Sequence, residues 1–302
     1  MVSMIQPRKL PPSQIFRFRA ADTLELVGER LSADANLPSR APVLLAHGFG
    51  QTRQSWNQTQ YRLALAGHDS LSWDMRGHGD SARNPADVRY RAEQFREDVV
   101  AAAGQLPGSP VLVGASMGGL TGLMAQAQRR LFSALVLVDV TPRWEAAGVQ
   151  RIQAFMTAHP QGFDSFEHAA EAISSYLPHR RERKTPEQLA SLLRNDPDSG
   201  HLRWHWDPRM LSEFVAGSEH LQEAISEAAA SIDIPMLLIS GGRSDLVSAQ
   251  TVAHFLELAP KARHVQLPQA THMLAGDDND AFIDTLLQFL SAQFPANPSV
   301  AR

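Results

Sequence analysis

The chain has 302 residues, of which 43% are hydrophobic and 20% charged, and its formal net charge is −4. This balance is typical of a globular protein, and without a long basic tract it argues against a general nucleic-acid binder. The absence of cysteine excludes disulfides, thiolate catalysis and cysteine-ligated zinc. No stretch is long enough to cross a bilayer and the first twelve residues lack the apolar segment of an export signal, so we expect a cytoplasmic protein.

The first half of the chain predicts strands that alternate with helices. Alternating runs at residues 14–19 and 24–31 predict an antiparallel pair of strands at a sheet edge. The continuous apolar run VLLA at 43–46 is typical of a strand covered by helices on both faces. The alternation then continues with a helix at 56–66, a strand at 69–73, a helix at 90–103, and strands at 110–113 and 134–138.

The pattern changes after Asp139. Residues 141–232 show helical periodicity and polar loops but no convincing strand, and strand–helix alternation resumes at Ile234. We therefore predict an α/β fold, a mostly parallel, doubly wound sheet of about eight strands carrying an inserted helical cap. The predicted boundaries divide the chain into a core at 13–140 and 233–294, a cap at 141–232, and loose termini at 1–12 and 295–302.

The sequence GASMG at 114–118 fits G-x-S-x-G, the sharp strand-to-helix turn that exposes a serine hydroxyl at a sheet edge. A residue at the tip of so tight a turn has a strained backbone, and the positions two residues away need almost no side chain. Gly114 and Gly118 meet that need. The helix predicted after Ser116 would favour negative charge beside the hydroxyl. Ser116 is therefore the candidate nucleophile.

A serine nucleophile needs a histidine to take its proton and a carboxylate to orient that histidine. Asp245 follows a predicted strand at 235–240, and His272 follows another at 262–267. Open α/β sheets place their sites at this edge. We assign Asp245 as the orienting acid and His272 as the general base. Asp139 also ends a strand and remains the competing acid.

These motifs resemble the α/β-hydrolase superfamily over nearly the whole chain, from about residue 16 to 294. HGFG at 47–50, WDMRGHGDS at 73–81, the serine turn, and the late Asp and His occur in the family's order. The resemblance implies an oxyanion hole made by the backbone N–H groups of Phe49 and Met117. From the residues themselves, we expect His47 to brace its loop and the Gly-rich loop at 74–81 to be structural, with polar side chains that bond to backbone. The resemblance also implies chemistry that needs no metal or organic cofactor.

The resemblance further implies hydrolysis of a carboxylic ester or lactone of a small apolar substrate through an acyl-enzyme. Perhydrolysis of the haloperoxidase type, carbon–carbon bond hydrolysis and amide cleavage use the same residues and stay open. A serine at the turn disfavours epoxide hydrolases, whose relatives attack with aspartate. Epoxide hydrolases of this fold also usually use a pair of cap tyrosines, whereas Tyr176 is the only tyrosine of the predicted cap. A non-catalytic ligand receptor and an interfacial lipase are further alternatives. The oligomeric state, monomer or homodimer, is left open.

The predicted cap carries three of the five tryptophans, Trp144, Trp204 and Trp206. They either pack the small core of the cap or line an apolar substrate pocket. His201 and His205 have the spacing of a metal pair on a helix, but without a clear third ligand we predict no metal site. The charged run at 180–184 is most simply a solvated face, with attraction of anionic substrates as the alternative.

Overall fold

The computed structural model of the chain describes residues 12–176, 185–211, 218–271 and 280–295. His272 and the charged run at 180–184 lie outside these ranges. The strands are β1 (Gln14–Arg19), β2 (Glu25–Leu31), β3 (Val43–Ala46), β4 (Ser70–Asp74), β5 (Val111–Ala115), β6 (Ala134–Val138), β7 (Leu193–Asn195), β8 (Leu202–Trp204), β9 (Met236–Gly241) and β10 (Arg263–Leu267). The helices are α1 (Asn57–Leu65), α2 (Ala92–Ala103), α3 (Met117–Arg129), α4 (Ala146–Thr157), α5 (Phe166–Tyr176), α6 (Pro186–Ala190), α7 (Ser218–Ala230), α8 (Ala249–Leu258) and α9 (Asp280–Gln293).

The main sheet has eight strands in the order β1-β2-β4-β3-β5-β6-β9-β10. Six of these strands, β4, β3, β5, β6, β9 and β10, run parallel to one another. At one edge, β2 pairs antiparallel with both β4 and β1. Every residue of β3, β5, β6 and β9 is buried, as the continuous apolar runs predict for strands covered on both faces. The predicted mostly parallel, doubly wound sheet is confirmed.

Alternate side chains of the central strands enter two apolar clusters, one on each face of the sheet. Along β3, Leu44 and Ala46 join the cluster that includes residues of α2, α3 and α8, whereas Val43 and Leu45 join the cluster that includes residues of α1 and α9. This division follows from the two-residue period of a strand. The sheet is therefore packed against helices on both faces, and the ends of its strands give the loops that follow them fixed starting positions.

The register of the strands brings three loops together at one edge. Ala46 pairs with Gly114, Ala115 pairs with Val138, and Val138 pairs with Ile239. The loops that follow β3, β5 and β6 therefore leave the sheet side by side. They carry the HGFG motif, Ser116 and Asp139 respectively.

The segment between β6 and β9 contributes no strand to the main sheet within its described residues. It contains α4 to α7 and a two-stranded antiparallel hairpin of β7 and β8. A separate apolar cluster that includes Phe163, Ile173 and Leu202 packs inside it. The sequence showed no convincing sheet strand here, and the structure adds this small hairpin outside the main sheet. Each hairpin strand has three residues and buries only its leucine, so neither is long enough to show a two-residue period.

Across the described ranges, no helix combines the length and apolar character needed to cross a bilayer.

The serine turn depends on backbone packed too closely for side chains. Ser116 has φ +46° and ψ −116°, a strained conformation for a residue with a Cβ. A Cβ on Gly118 would lie 2.5 Å from the carbonyl oxygen of Ala46, and one on Gly114 would lie 2.5 Å from the backbone nitrogen of Gly119. Glycine at these two positions therefore lets the start of α3 lie directly against the ends of β3 and β5.

We expect Gly118→Ala to lower the free energy of unfolding by about 3 kcal/mol, because the new methyl group must displace backbone rather than a flexible side chain. Chemical denaturation followed by circular dichroism measures the change. Gly104→Ala is the matched control, since Gly104 has φ −63° and a Cβ there would meet only ordinary contacts at 3.5 Å. Equal stability of the two variants would contradict the proposed close packing.

Candidate active site

Ser116 is held between β5 and α3 by its own backbone. Its N–H donates to the carbonyl of Val138 at 3.1 Å, and its carbonyl accepts from Gly119 and Leu120 at 2.9 and 3.1 Å. Helix α3 begins at the next residue, Met117. The Ser116 side chain therefore lies at a helix N-terminus, where unpaired N–H groups and the helix dipole favour a negative charge.

The HGFG loop lies against this serine. A Cβ on Gly48 would be 3.4 Å from the Cβ of Ser116. His47 Nδ1 donates to the carbonyl of Gly48 at 2.8 Å, and His47 Nε2 accepts from the Met75 N–H at 2.9 Å. The C=O and N–H of a trans peptide point in opposite directions. His47 therefore fixes the direction of the Phe49 N–H, the predicted oxyanion donor.

Two further histidines hold the next peptide groups of the same loop. His78 Nε2 accepts from the Gly50 N–H at 3.2 Å. His205, from the segment between β6 and β9, donates Nε2–H to the Gly50 carbonyl at 3.2 Å and accepts the Gly79 N–H at 2.8 Å with Nδ1. The loop at 47–50 is thus bound by three imidazoles, His47, His78 and His205.

All three imidazoles are neutral. Each has one ring nitrogen that accepts an N–H and another that donates to a carbonyl, a pattern that only the neutral ring can make. Burial lowers the pKa of His47, lowers that of His78 well below its usual range, and lowers the pKa of His205 to about 3. Their ring centroids lie 5.0 Å apart for His47 and His78, and 5.7 Å apart for His78 and His205.

Asp74 organises the structural loop at 73–81. Its carboxylate accepts from the backbone N–H of Arg53 at 2.7 Å and that of Asp80 at 2.9 Å, and it pairs with the Arg53 guanidinium. Ser81 Oγ donates to the Asp74 carbonyl at 2.5 Å. These contacts agree with the structural role expected for the motif.

A cavity of ≈ 180 Å³ opens at Ser116. None of the described residues that line it is charged, and the apolar ones come from the core and from the segment between β6 and β9. Ser116, Phe49 and Met117, the three residues predicted for the nucleophile and the oxyanion hole, all line it. The structure thus brings these three predicted residues together around a small apolar space.

The three tryptophans of the predicted cap differ in their surroundings. Trp144 lines the Ser116 cavity. Trp206 is only 2% exposed and packs on Phe49 with ring centroids 5.0 Å apart. Trp204 packs against Phe155 and Phe163, at 5.8 and 5.1 Å between centroids. Trp204 and Trp206 do not line the Ser116 cavity; they border a neighbouring cleft.

The two candidate acids have different environments. Asp139 is fully buried, with Oδ1 accepting the Gly241 N–H at 2.7 Å and Oδ2 accepting the Ser244 hydroxyl at 2.5 Å. The carboxylate of Asp245 accepts from Arg151 Nη1 at 2.9 Å, and its side chain is 33% exposed. The Gly241 position lies against the chain leading to residue 272, since a Cβ there would be 2.9 Å from the Thr271 carbonyl oxygen.

His201 and His205 do not share a helix face, because β8 lies between them. His201 Nδ1 lies 3.2 Å from the Asp164 carboxylate, whereas His205 is buried against Gly50 and Gly79. Within the described residues, no three His, Cys, Asp or Glu side chains are grouped so that they could hold a metal ion.

Known proteins provide an independent test of the family. A family model described as alpha/beta hydrolase fold matches residues 41–278. The chain belongs to this family. It is 29% identical to the mouse "sn-1-specific diacylglycerol lipase ABHD11" over 86% of this chain and 83% of the relative. It is 30% identical to "Esterase Rv0045c" of Mycobacterium tuberculosis over 80% of each chain. The chain is therefore a hydrolase of the α/β-hydrolase fold.

Solved structures agree on the fold. The crystal structure of E-2-(acetamidomethylene)succinate hydrolase superposes with a TM-score of 0.76 at 21% identity, covering 92% of this chain and all of that one. The esterase Rv0045c of M. tuberculosis superposes with a TM-score of 0.71 at 24% identity, covering 94% and 93% of the two chains.

His205 is the site residue that the sequence did not reveal. The spacing of His201 and His205 suggested only a packing role or a weak metal pair, whereas the structure uses His205 to join the predicted cap to the HGFG loop. The one local signal was a histidine between two tryptophans, WHW at 204–206. A polar ring amid apolar neighbours indicates burial with specific hydrogen-bond partners.

We expect the free energy of unfolding to fall as the pH drops below about 6.5, where the unfolded chain protonates histidines that the fold keeps neutral. Each such histidine contributes up to about 1.4 kcal/mol per pH unit. His205→Asn should be less stable at pH 7.5, yet lose about 1.4 kcal/mol less per pH unit between roughly pH 6 and 4.5. Urea titrations at several pH values measure this slope.

The matched control is His220→Asn, because the His220 side chain is 95% exposed on α7. It should leave the pH slope unchanged. A slope that is the same in wild type and His205→Asn would mean that His205 is not held neutral by the fold.

Proposed function

We propose that the protein is a serine hydrolase that cleaves a carboxylic ester or lactone of a small apolar substrate through an acyl-enzyme. The observation that carries the proposal is Ser116, strained at the start of α3 and lining an apolar cavity together with Phe49 and Met117. The esterase and lipase names of the relatives support an ester substrate.

In the proposed reaction, His272 takes the proton of Ser116 while the serine oxygen attacks the carbonyl carbon. The N–H groups of Phe49 and Met117 bind the resulting oxyanion, and loss of one such donor typically costs about 10²–10³ in turnover. The leaving alcohol departs with the proton from His272. Water activated by the same histidine then releases the acid.

The orienting acid is assigned from the contacts described above. We propose Asp139 in preference to Asp245, the first assignment from the sequence. Asp139 is buried, follows the strand next to the one that carries Ser116, and binds Gly241, which lies against the residues leading to His272. The Asp245 side chain is 33% exposed, and its carboxylate is already paired with Arg151. A buried carboxylate orients an imidazolium more strongly than an exposed, paired one.

We further propose that residues 141–232 act as a cap. Trp144, Ile152, Leu221 and Ile225 of this segment line the cavity opposite Ser116. Such a cover excludes water from the acyl-enzyme and limits the size of the acyl group. The cavity of ≈ 180 Å³ is small, which favours a short acyl group.

Ser116→Ala should retain the fold and lose activity on p-nitrophenyl butyrate by at least about 10⁴-fold, because no other group supplies the nucleophile. Hydrolysis is followed by absorbance, and labelling with a fluorophosphonate is followed by mass spectrometry. Ser231→Ala, at an exposed serine after α7, is the control and should behave as wild type. A wild-type protein that labels at Ser116 but never turns over an ester panel would be a receptor rather than a hydrolase.

Asp139→Asn should lower kcat/KM by about 10³-fold or more, because the amide cannot stabilise a charged imidazole. The variant preserves the acceptor for the Gly241 N–H, and its NH₂ can donate to Ser244. Asp245→Asn is the matched substitution and should reduce kcat/KM less than about 10-fold. The opposite ranking of the two variants would restore Asp245 as the acid.

A further inference from the structure

A cleft of ≈ 930 Å³ lies beside the Ser116 cavity. Gln153 and Leu211 line both spaces, so the two are neighbours across these side chains. On the other side, Phe49 of the cavity packs against Trp206 of the cleft. The cleft therefore begins one aromatic ring away from the predicted oxyanion donor.

The cleft differs from the cavity in charge. Among the described residues, three arginines (Arg83, Arg194 and Arg203) and one carboxylate (Asp196) line the cleft, whereas none of those that line the cavity is charged. Arg203 pairs with Asp196, and Arg194 binds Asp80 at 2.9 Å. Two of the three arginines are thus paired with carboxylates, and among the described residues no carboxylate is paired with Arg83, which leaves the cleft one excess positive charge.

Arg83 supplies that excess charge. Its Nη2 donates to the backbone carbonyl of His205 at 3.2 Å. A carbonyl positions a guanidinium without neutralising it. The hydrogen bond holds this exposed cation at the cleft, next to the histidine that binds the Gly50 carbonyl.

Two indole N–H groups at the cleft have no acceptor in the part of the chain that the structure describes. Trp204 Nε1 and Trp206 Nε1 are buried and have no hydrogen-bond partner among the described residues. Both tryptophans line the cleft. Buried donors are almost always satisfied by protein, water or ligand, and each one left over calls for a partner. A ligand oxygen in the cleft would supply it.

We propose that this cleft binds an anionic oxygen group, a carboxylate or phosphate, on the leaving-group side of the substrate. The inference rests on the proposed function. The substrate class is then an ester that joins a small apolar acyl group, held in the Ser116 cavity, to an acidic alcohol held by Arg83 and Arg203. Planar guanidinium groups and indole N–H donors together match the geometry of such oxyanions.

The test compares esters that share one acyl group and differ in leaving-group charge. The probes are 4-(butyryloxy)benzoate, 4-(butyryloxy)phenyl phosphate and the neutral 4-(butyryloxy)benzamide. For wild type, we expect kcat/KM to be at least about 10-fold higher for an anionic ester than for the neutral benzamide ester. This ratio should fall as the sodium chloride concentration rises, because salt screens the attraction. Comparison of kcat/KM for the benzoate and phosphate esters shows whether the cleft prefers a carboxylate or a phosphate.

Arg83→Gln and Arg203→Gln each should lower the ratio of anionic to neutral kcat/KM by about 5–10-fold, mainly through KM for the anionic ester. Arg129→Gln is the matched control. Arg129 is exposed at the far end of α3, and the helix rise places it about 20 Å from Ser116. The control should keep the wild-type ratio.

The outcomes separate this inference from the proposed function. Hydrolysis of all three esters with no charge preference, or with a preference that neither arginine variant changes, overturns the anion site and leaves the hydrolase proposal intact. Hydrolysis of none of the esters overturns the proposed function itself. A preference for a charged acyl group, measured with p-nitrophenyl hemisuccinate against p-nitrophenyl butyrate, would overturn the placement on the leaving-group side.

Discussion

The site depends on the close approach of α3 to the ends of β3 and β5. The backbone of Ala46 and that of Gly118 leave no space for a methyl group between them. This approach places Ser116 against Gly48 and forces the strained backbone at the serine. It also sets the HGFG loop beside the N-terminus of α3. The strained conformation of Ser116 persists because the surrounding sheet, packed on both faces, holds its backbone in place.

A second constraint acts on the peptides around Phe49. Backbone groups buried under a cover cannot rely on water, so each needs a protein partner. Here neutral imidazoles serve the peptide groups of Gly48 and Gly50. An imidazole offers one donor and one acceptor on opposite sides of a rigid ring, which suits it to joining two backbone segments. Burial holds the rings in the neutral form that this role requires.

Much of this fold could be predicted from the sequence because its signals are local. The buried strands are continuous apolar runs, and the serine turn is marked by Gly114 and Gly118. The hairpin of β7 and β8 was missed because three-residue strands carry too short a pattern. The role of His205 was missed for a different reason. Its partners lie 126 and 155 residues away, and no local spacing encodes such contacts.

The ranking of the two acids shows a similar limit. Asp139 and Asp245 both follow strands, so position in the sequence could not separate them. What separates them is the partner that each carboxylate finds in three dimensions, Gly241 and Ser244 in one case and Arg151 in the other. The sequence therefore supplies two candidate acids, and only the folded structure shows how the surroundings of their carboxylates differ.

The attachment of residues 205–209 to the core has a mechanical consequence. Asp207 donates its N–H to the Gly77 carbonyl and accepts from the Tyr90 hydroxyl, and Arg209 binds the Asn84 carbonyl. His205 belongs to the same stretch and bonds Gly50. Displacement of this stretch would therefore pull directly on the HGFG loop, which carries the proposed oxyanion donor Phe49. The position of this stretch and the geometry of the HGFG loop are therefore mechanically coupled.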